Sequence, residues 1–399
     1  MKHITTTSQY WGEASMKRIF KYGACMLAAL SASALSSHSI AEDIDLFSGL
    51  NPASGNPPTV LLGWHSSANS NANVVHGCTY SDGSGEPALG DTVGGMEQCA
   101  IVNTMLSLKQ PANAGLLGAI KIGVMVFNQN SFSSFNNGTS LGNGDNRCGY
   151  LMVPPTLLDS DGIDSFIALL KQFSKSELAN QSRLGDLIAE SWAMLNGLST
   201  SCSGVNYSTL ASVATECRDA VLVYLGNATK ENANVADGTG NPDVLLKNEL
   251  TSAFGYSTSS EKYNFFSTPR SVTLLNNSGA SNNKYWGDEW TRFMNLVDVD
   301  NSAQSDRNVT TYSIAVYDPE LESKLAGEIN FLSDLATEGG GKAFKVEKSQ
   351  SAALSEILLQ IFNEVQDVNS VFSSATLPVS ANTQGTYLNQ VFIAMFRPD

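Results

Sequence analysis

Thr59-Val60-Leu61-Leu62-Gly63-Trp64-His65-Ser66-Ser67-Ala68-Asn69 is an apolar run that breaks into small polar residues. The apolar part does not alternate. A strand covered by helices on both faces has this look, as strands of parallel sheets do. The polar part then lies at the carboxyl edge of the sheet, where open α/β folds place their ligands.

Outward from that run, residues 91–108 read as a helix, with Val93, Met96, Ile101, Met105 and Leu108 toward one side. Residues 117–127 are the clearest strand, where Ile120, Ile122, Val124 and Val126 alternate with Lys121, Gly123, Met125 and Phe127. Residues 148–153 suggest a short edge strand stopped by Pro154-Pro155. Two helices follow, on Ile163, Phe166, Ile167, Leu170 and Phe173, then on Leu184, Leu187, Ile188 and Leu195. Residues 219–225 form a second buried strand that ends at Gly226-Asn227-Ala228.

Residues 229–306 are rich in Asn, Gly and Ser, with helices expected at 242–254 and 286–297. The pattern sharpens at 308–317, a strand on Tyr312, Ile314 and Val316. Asp318 reads as an N-cap with Pro319 at the first helical position and Glu320 and Glu322 in the first turn. That helix should stop at a left-handed glycine within Gly339-Gly340-Gly341. A strand at 342–346 then leads to a helix on Leu354, Ile357, Leu358, Ile361, Phe362, Val365 and Val368. The fold class expected is α/β: a doubly wound, mostly parallel sheet with helices on both faces. Residues 371–399 depart from it and read as a β stub of a further, C-terminal domain.

The 399-residue chain carries a net charge of −15. Met16-Lys17-Arg18-Ile19-Phe20-Lys21, an apolar run over 24–35 and Ser39-Ile40-Ala41 make a secretory signal, with translation starting at Met16. Loss of residues 1–41 removes four of 23 basic and one of 38 acidic residues, leaving 19 minus 37, or −18. Such a surface repels nucleic acid and anionic lipid, and no later stretch suits a membrane span. Residues 42–58 are a lead-in, and 59–370 one domain elaborated at 69–90 and 229–306. Export permits disulfides. The spacings suggest Cys78 with Cys99 and Cys202 with Cys217, leaving Cys148 odd.

Leu358-Leu359-Gln360-Ile361-Phe362-Asn363-Glu364-Val365, Leu377-Pro378-Val379-Ser380-Ala381-Asn382-Thr383-Gln384-Gly385-Thr386-Tyr387-Leu388-Asn389-Gln390 and Met395-Phe396-Arg397-Pro398-Asp399 closely resemble the type IV pilus tip-associated PilY family. The likeness is to the junction of that family's von Willebrand factor A-like domain with its β-propeller. Glu42-Asp43-Ile44-Asp45-Leu46-Phe47 and Gly339-Gly340-Gly341-Lys342-Ala343-Phe344 match it too.

The resemblance implies a non-enzymatic, exported protein of pilus biogenesis or adhesion, at the periplasm, cell surface or pilus tip. Its partners would be pilins, minor pilins or an extracellular or host-surface ligand. It also implies a metal-ion-dependent adhesion site: an Asp-x-Ser-x-Ser loop after the first strand, a Thr from a second loop, and a later Asp. In this chain those positions read His65, Ser67 and Asn69, then Ser182 (or Arg183), then Asn227. No carboxylate remains to compete with the hydration shell of Mg or Ca, so no cofactor is expected.

An enzyme is the rival reading, since α/β sheets host many. The sequence has no phosphate-cradling glycine motif after the first strand. What is left is a hydrolase or zinc enzyme using His65 and His76. The acids Asp288-Glu289 and Asp159, Asp161 and Asp164 read as solvated helix starts. Asp298-Val299-Asp300 lacks the glycine and final glutamate of an EF-hand. Trp286 and Trp290 read as helix core.

Overall fold

The computed structural model describes residues 57–127, 149–175, 178, 182–198, 205–207, 220–230, 235–236, 287–296 and 308–369. The signal region, Cys148, Cys202, Cys217, the helix expected at 242–254, Trp286 and the C-terminal β stub lie outside them.

Strand β1 (Thr59–Trp64) is buried along its whole length, as its lack of alternation predicts. It pairs in parallel with β2 (Lys121–Phe127) on one side and β5 (Ala220–Ala228) on the other. Strand β3 (Gly149–Leu157) closes one edge antiparallel to β2, while β7 (Val309–Tyr317) and β8 (Gly340–Glu347) extend the other in parallel. The six-stranded order is β3-β2-β1-β5-β7-β8, and the short β4 (Ser182–Arg183) and β6 (Val235–Ala236) pair separately.

Alternate side chains of β1 enter two different cores. Val60, Leu62 and Trp64 pack with α1 (Val93–Leu108), α2 (Ser160–Gln172) and α6 (Ser351–Asn369). Leu61 packs on the opposite face with α3 (Leu184–Leu195), α4 (Gly287–Leu296) and α5 (Ala326–Glu338). Gly63 also points to that second face, where an added Cβ would come within 3.0 Å of Leu187. The result is the mostly parallel α/β sheet the pattern predicts.

Several details correct the sequence reading. Pro154-Pro155 does not stop β3, because β3 is an edge strand and shifts register between the pairs Ile122–Thr156 and Val124–Val153. A bulge absorbs the missing amide hydrogens there. Strand β5 continues through Gly226-Asn227-Ala228, held by register with Ala315, Val316 and Tyr317 of β7. The helix expected from Pro319 begins only at Ala326. Asp318 instead closes a turn, accepting from the Glu320 amide at 3.0 Å, and pairs with Lys348. Gly339 caps α5 with φ −82°, and the left-handed residue is Gly340 at φ +72°. Gly341 lies so close to β7 that a Cβ would fall 2.3 Å from the Thr311 carbonyl. Trp290 is core, as expected, but Asp288 and Glu289 are buried rather than solvated.

Candidate functional site

The carboxyl ends of β1 and β5 bring His65 beside Asn227. The His65 amide donates to the Leu225 carbonyl at 2.9 Å, extending the strand pairing by one residue. The loop then turns back: the Ser70 amide donates to the Ser67 carbonyl at 2.9 Å, within a 3-10 turn over Ala68–Asn71. This fold-back carries Ser67 and Ser70 over the strand ends.

His65 is 2% exposed. Burial pushes its pKa down from 6.5 to about 3, so the ring is neutral. Both ring nitrogens are engaged. Nδ1 lies 3.4 Å from the Asn227 amide, which can only donate. That assigns the proton to Nε2, which donates to Ser67 Oγ at 3.0 Å. Phe127 meets the ring edge-on, with centroids 5.6 Å apart. The Asn227 side-chain amide donates to the His65 carbonyl at 3.1 Å and to Ser70 Oγ at 3.0 Å. Ser70 Oγ in turn donates to that same carbonyl at 2.7 Å.

Of the five adhesion-site positions, the structure therefore unites His65, Ser67 and Asn227. The backbone places Asn69 in the 3-10 turn and Ser182 in β4; their side chains lie outside the described residues. The donor set does not fit a hard divalent cation. The imidazole is buried and fully used, the hydroxyl is hydrogen-bonded to it, and Asn227 turns its NH₂ inward toward two oxygens. Hard cations take oxygens, normally with some carboxylate charge. Among the described residues, no three His, Cys, Asp or Glu side chains form a metal-binding group.

Three participants escaped the sequence reading. Ser66 Oγ accepts from the Phe127 amide at 3.1 Å, joining the ends of β1 and β2. Ser70 joins the rim network as described. Glu97 of α1 lies beneath it, fully buried, with Oε2 accepting from the Trp64 indole at 2.7 Å. Burial lifts the Glu97 carboxyl from 4.5 to about 8, and Trp64 and Asn227 offset only part of that rise. A glutamate between Met96 and Cys99, in a helix without a polar face, was the available signal: α1 is buried almost all round.

His76 does not share this arrangement. Its Nδ1 accepts from the Cys78 amide at 2.9 Å, and its Nε2 donates to the Gly90 carbonyl at 3.0 Å. Both bonds stay within the loop that follows β1. That loop is fastened to its surroundings: the expected Cys78–Cys99 disulfide ties it to α1, Asn103 donates to the Thr79 carbonyl, and Lys171 pairs with Asp82 at 2.9 Å.

No protein-family model and no curated protein sequence matches the chain. Among solved structures, the PilB minor pilin from Streptococcus sanguinis overlaps it with TM-score 0.41 and 12% identity, over 79% of this chain and 63% of that one. The pilus adhesin SpaC from Lactobacillus rhamnosus GG gives TM-score 0.37 and 10% identity, over 78% and 30%. The human COPII-coat protein Sec24c gives 0.35 and 12%, over 78% and 32%. The chain thus spans less than two thirds of the PilB chain it overlaps. The neighbours include both pilus proteins and a vesicle-coat protein, and at these scores the overlaps carry no argument about function.

Proposed function

We propose that this chain is a non-enzymatic interaction protein of an exported pilus system, a von Willebrand factor A-like domain that binds partners through the loops at the carboxyl edge of its sheet. The observation that carries the reading is the rim itself. Where adhesion-site ligands would stand, His65, Ser67, Ser70 and Asn227 are hydrogen-bonded to one another. A rim closed in this way offers shape and hydrogen-bonding loops rather than a coordinated metal. The sequence resemblance to the PilY family supplies the pilus context and names pilins or minor pilins as first partners to test. No described helix is long and apolar enough to cross a membrane.

Catalysis by His65 and His76 has little support from their surroundings. A general base needs a ring nitrogen within reach of substrate, and both nitrogens of each ring are occupied by neighbours.

The test has two arms. Calorimetric titration of the full chain with Mg²⁺ should give no saturable heat, and tight stoichiometric binding lost in Asn227→Ala would overturn the account of the rim. Immobilised chain should retain purified minor pilins, with retention lowered by substitutions in the exposed 81–86 loop. Failure to retain any pilin would remove the pilus assignment while leaving the rim chemistry intact.

A further inference from the structure

Asp288 and Glu289 open helix α4, yet they are only 1% and 3% exposed. Neither carboxyl oxygen of Asp288 has a donor at proper hydrogen-bond geometry, and what lies near is the Glu289 side chain and the local backbone. A carboxylate buried without a good donor is several kcal/mol out of balance, and taking up a proton is the cheaper state.

The elements packed on α4 add further acids. From α5 come Asp334, which senses the charges of Asp288 and Glu338, and Glu338 itself, 3.8 Å from Arg292 of α4. Glu328 lies half-buried in the first turn of α5. From α3 come the buried Asp186 and Glu190, and Glu190 accepts from the Tyr207 hydroxyl at 2.6 Å. On β7, Tyr312 turns to the opposite core, and Tyr317 joins a separate small cluster. Arg292 of α4 is a buried cation on this side of the sheet, 3.8 Å from Glu338.

We propose that α4 and α5 meet in a carboxyl clasp, in which the buried Asp288 and Glu289 of α4 form an acid-rich contact with Asp334 of α5, and that this clasp loosens as pH rises from the acidic range. Burial, reinforced by repulsion from Asp288 and Glu338, lifts Asp334 from 3.8 to about 6. Burial likewise raises Asp288. When the contact opens, these carboxyls regain ordinary acidity near ~4. The closed form therefore holds more protons between those values. Its advantage is complete below about pH 4 and drains away as pH climbs through about 6 and beyond.

Hydrogen exchange read by mass spectrometry on the full chain, at pH 5 and pH 8 and corrected for intrinsic exchange, tests the idea. Opening of the 287–296 amides should rise about tenfold or more at pH 8, while the amides of α1 hold steady. Asp288→Asn and Asp334→Asn should each reduce that rise. Equal opening of 287–296 at both pH values would overturn the clasp. So would a rise that survives unchanged in Asp334→Asn, the variant that decides the matter if Asp288→Asn does not fold.

Discussion

The rim at the ends of β1 and β5 and the contact between α4 and α5 both bury polar side chains, and they handle them in opposite ways. At the rim, neutral groups are matched donor to acceptor: imidazole to hydroxyl, and amide to carbonyl. At α4–α5, the buried acids Asp288 and Glu289 share a side of the sheet with Glu338, which lies 3.8 Å from Arg292. Hydrogen bonds between neutral groups need no proton uptake to hold, whereas clustered carboxyls depend on protons for their geometry. The difference teaches where this domain is stiff and where it can give. The expectation is a rim that keeps its hydrogen bonds and an α4 side that answers to pH.

Substitutions can break that contrast, and the largest effect is expected at His65. His65→Asp places a carboxylate in a fully enclosed site among groups matched to a neutral ring. It should lower stability at pH 7 by roughly 3–5 kcal/mol, measured by urea denaturation. An unchanged midpoint would mean that the rim is open to water. Asn227→Ala removes the amide that binds the His65 carbonyl and Ser70, at a cost of about 2 kcal/mol in the same assay.

Glu97 sharpens the comparison through pH. Its folded pKa, about 8, stands above the ordinary 4.5. Its contribution is therefore complete below about pH 4.5 and is lost as pH rises to about 8. Glu97→Gln should flatten that segment, so the stability difference from wild type should change by up to about 1.4 kcal/mol per pH unit between pH 5 and 8. Parallel curves would show that the carboxyl is already ionised.

At the other site the pH trend runs the same way, because the Asp288 pKa is raised too, but the substitution should end as a gain. Asp288→Asn should be nearly neutral at pH 4.5 and stabilising by about 1 kcal/mol at pH 8, read from paired denaturation curves. The smallest effect is expected on deleting residues 371–399. If those residues belong to a further domain, the melting temperature should move by no more than about 2 °C. Loss of cooperative melting would instead make them part of this one.

Much of this was legible in the sequence. The uninterrupted apolar run of β1 announced burial on both faces, and Leu61 and Leu62 do enter opposite cores. Leu354, Leu358, Ile361, Phe362 and Val365 of α6 are all buried, as their spacing predicts. The Cys78–Cys99 bridge is one of the two pairings the sequence suggested. Periodicity could not foresee that Pro154-Pro155 would be carried by an edge-strand bulge. Nor could it show that the cap residue Asp318 would close a turn and defer its helix to Ala326.

The sequence by itself determined the α/β sheet and put the neutral residues His65, Ser67 and Asn227 at the ends of two of its strands, because residue type and period are local properties. Only the tertiary structure decided what those residues do together. Asn227 lies 162 positions from His65, and whether a buried polar group finds a partner depends on which strand ends lie side by side. The same holds for Asp288, whose place at a helix start reads as solvated until α3 and α5 close over it. Solvation is set by neighbours from distant parts of the chain, and the local sequence does not carry it.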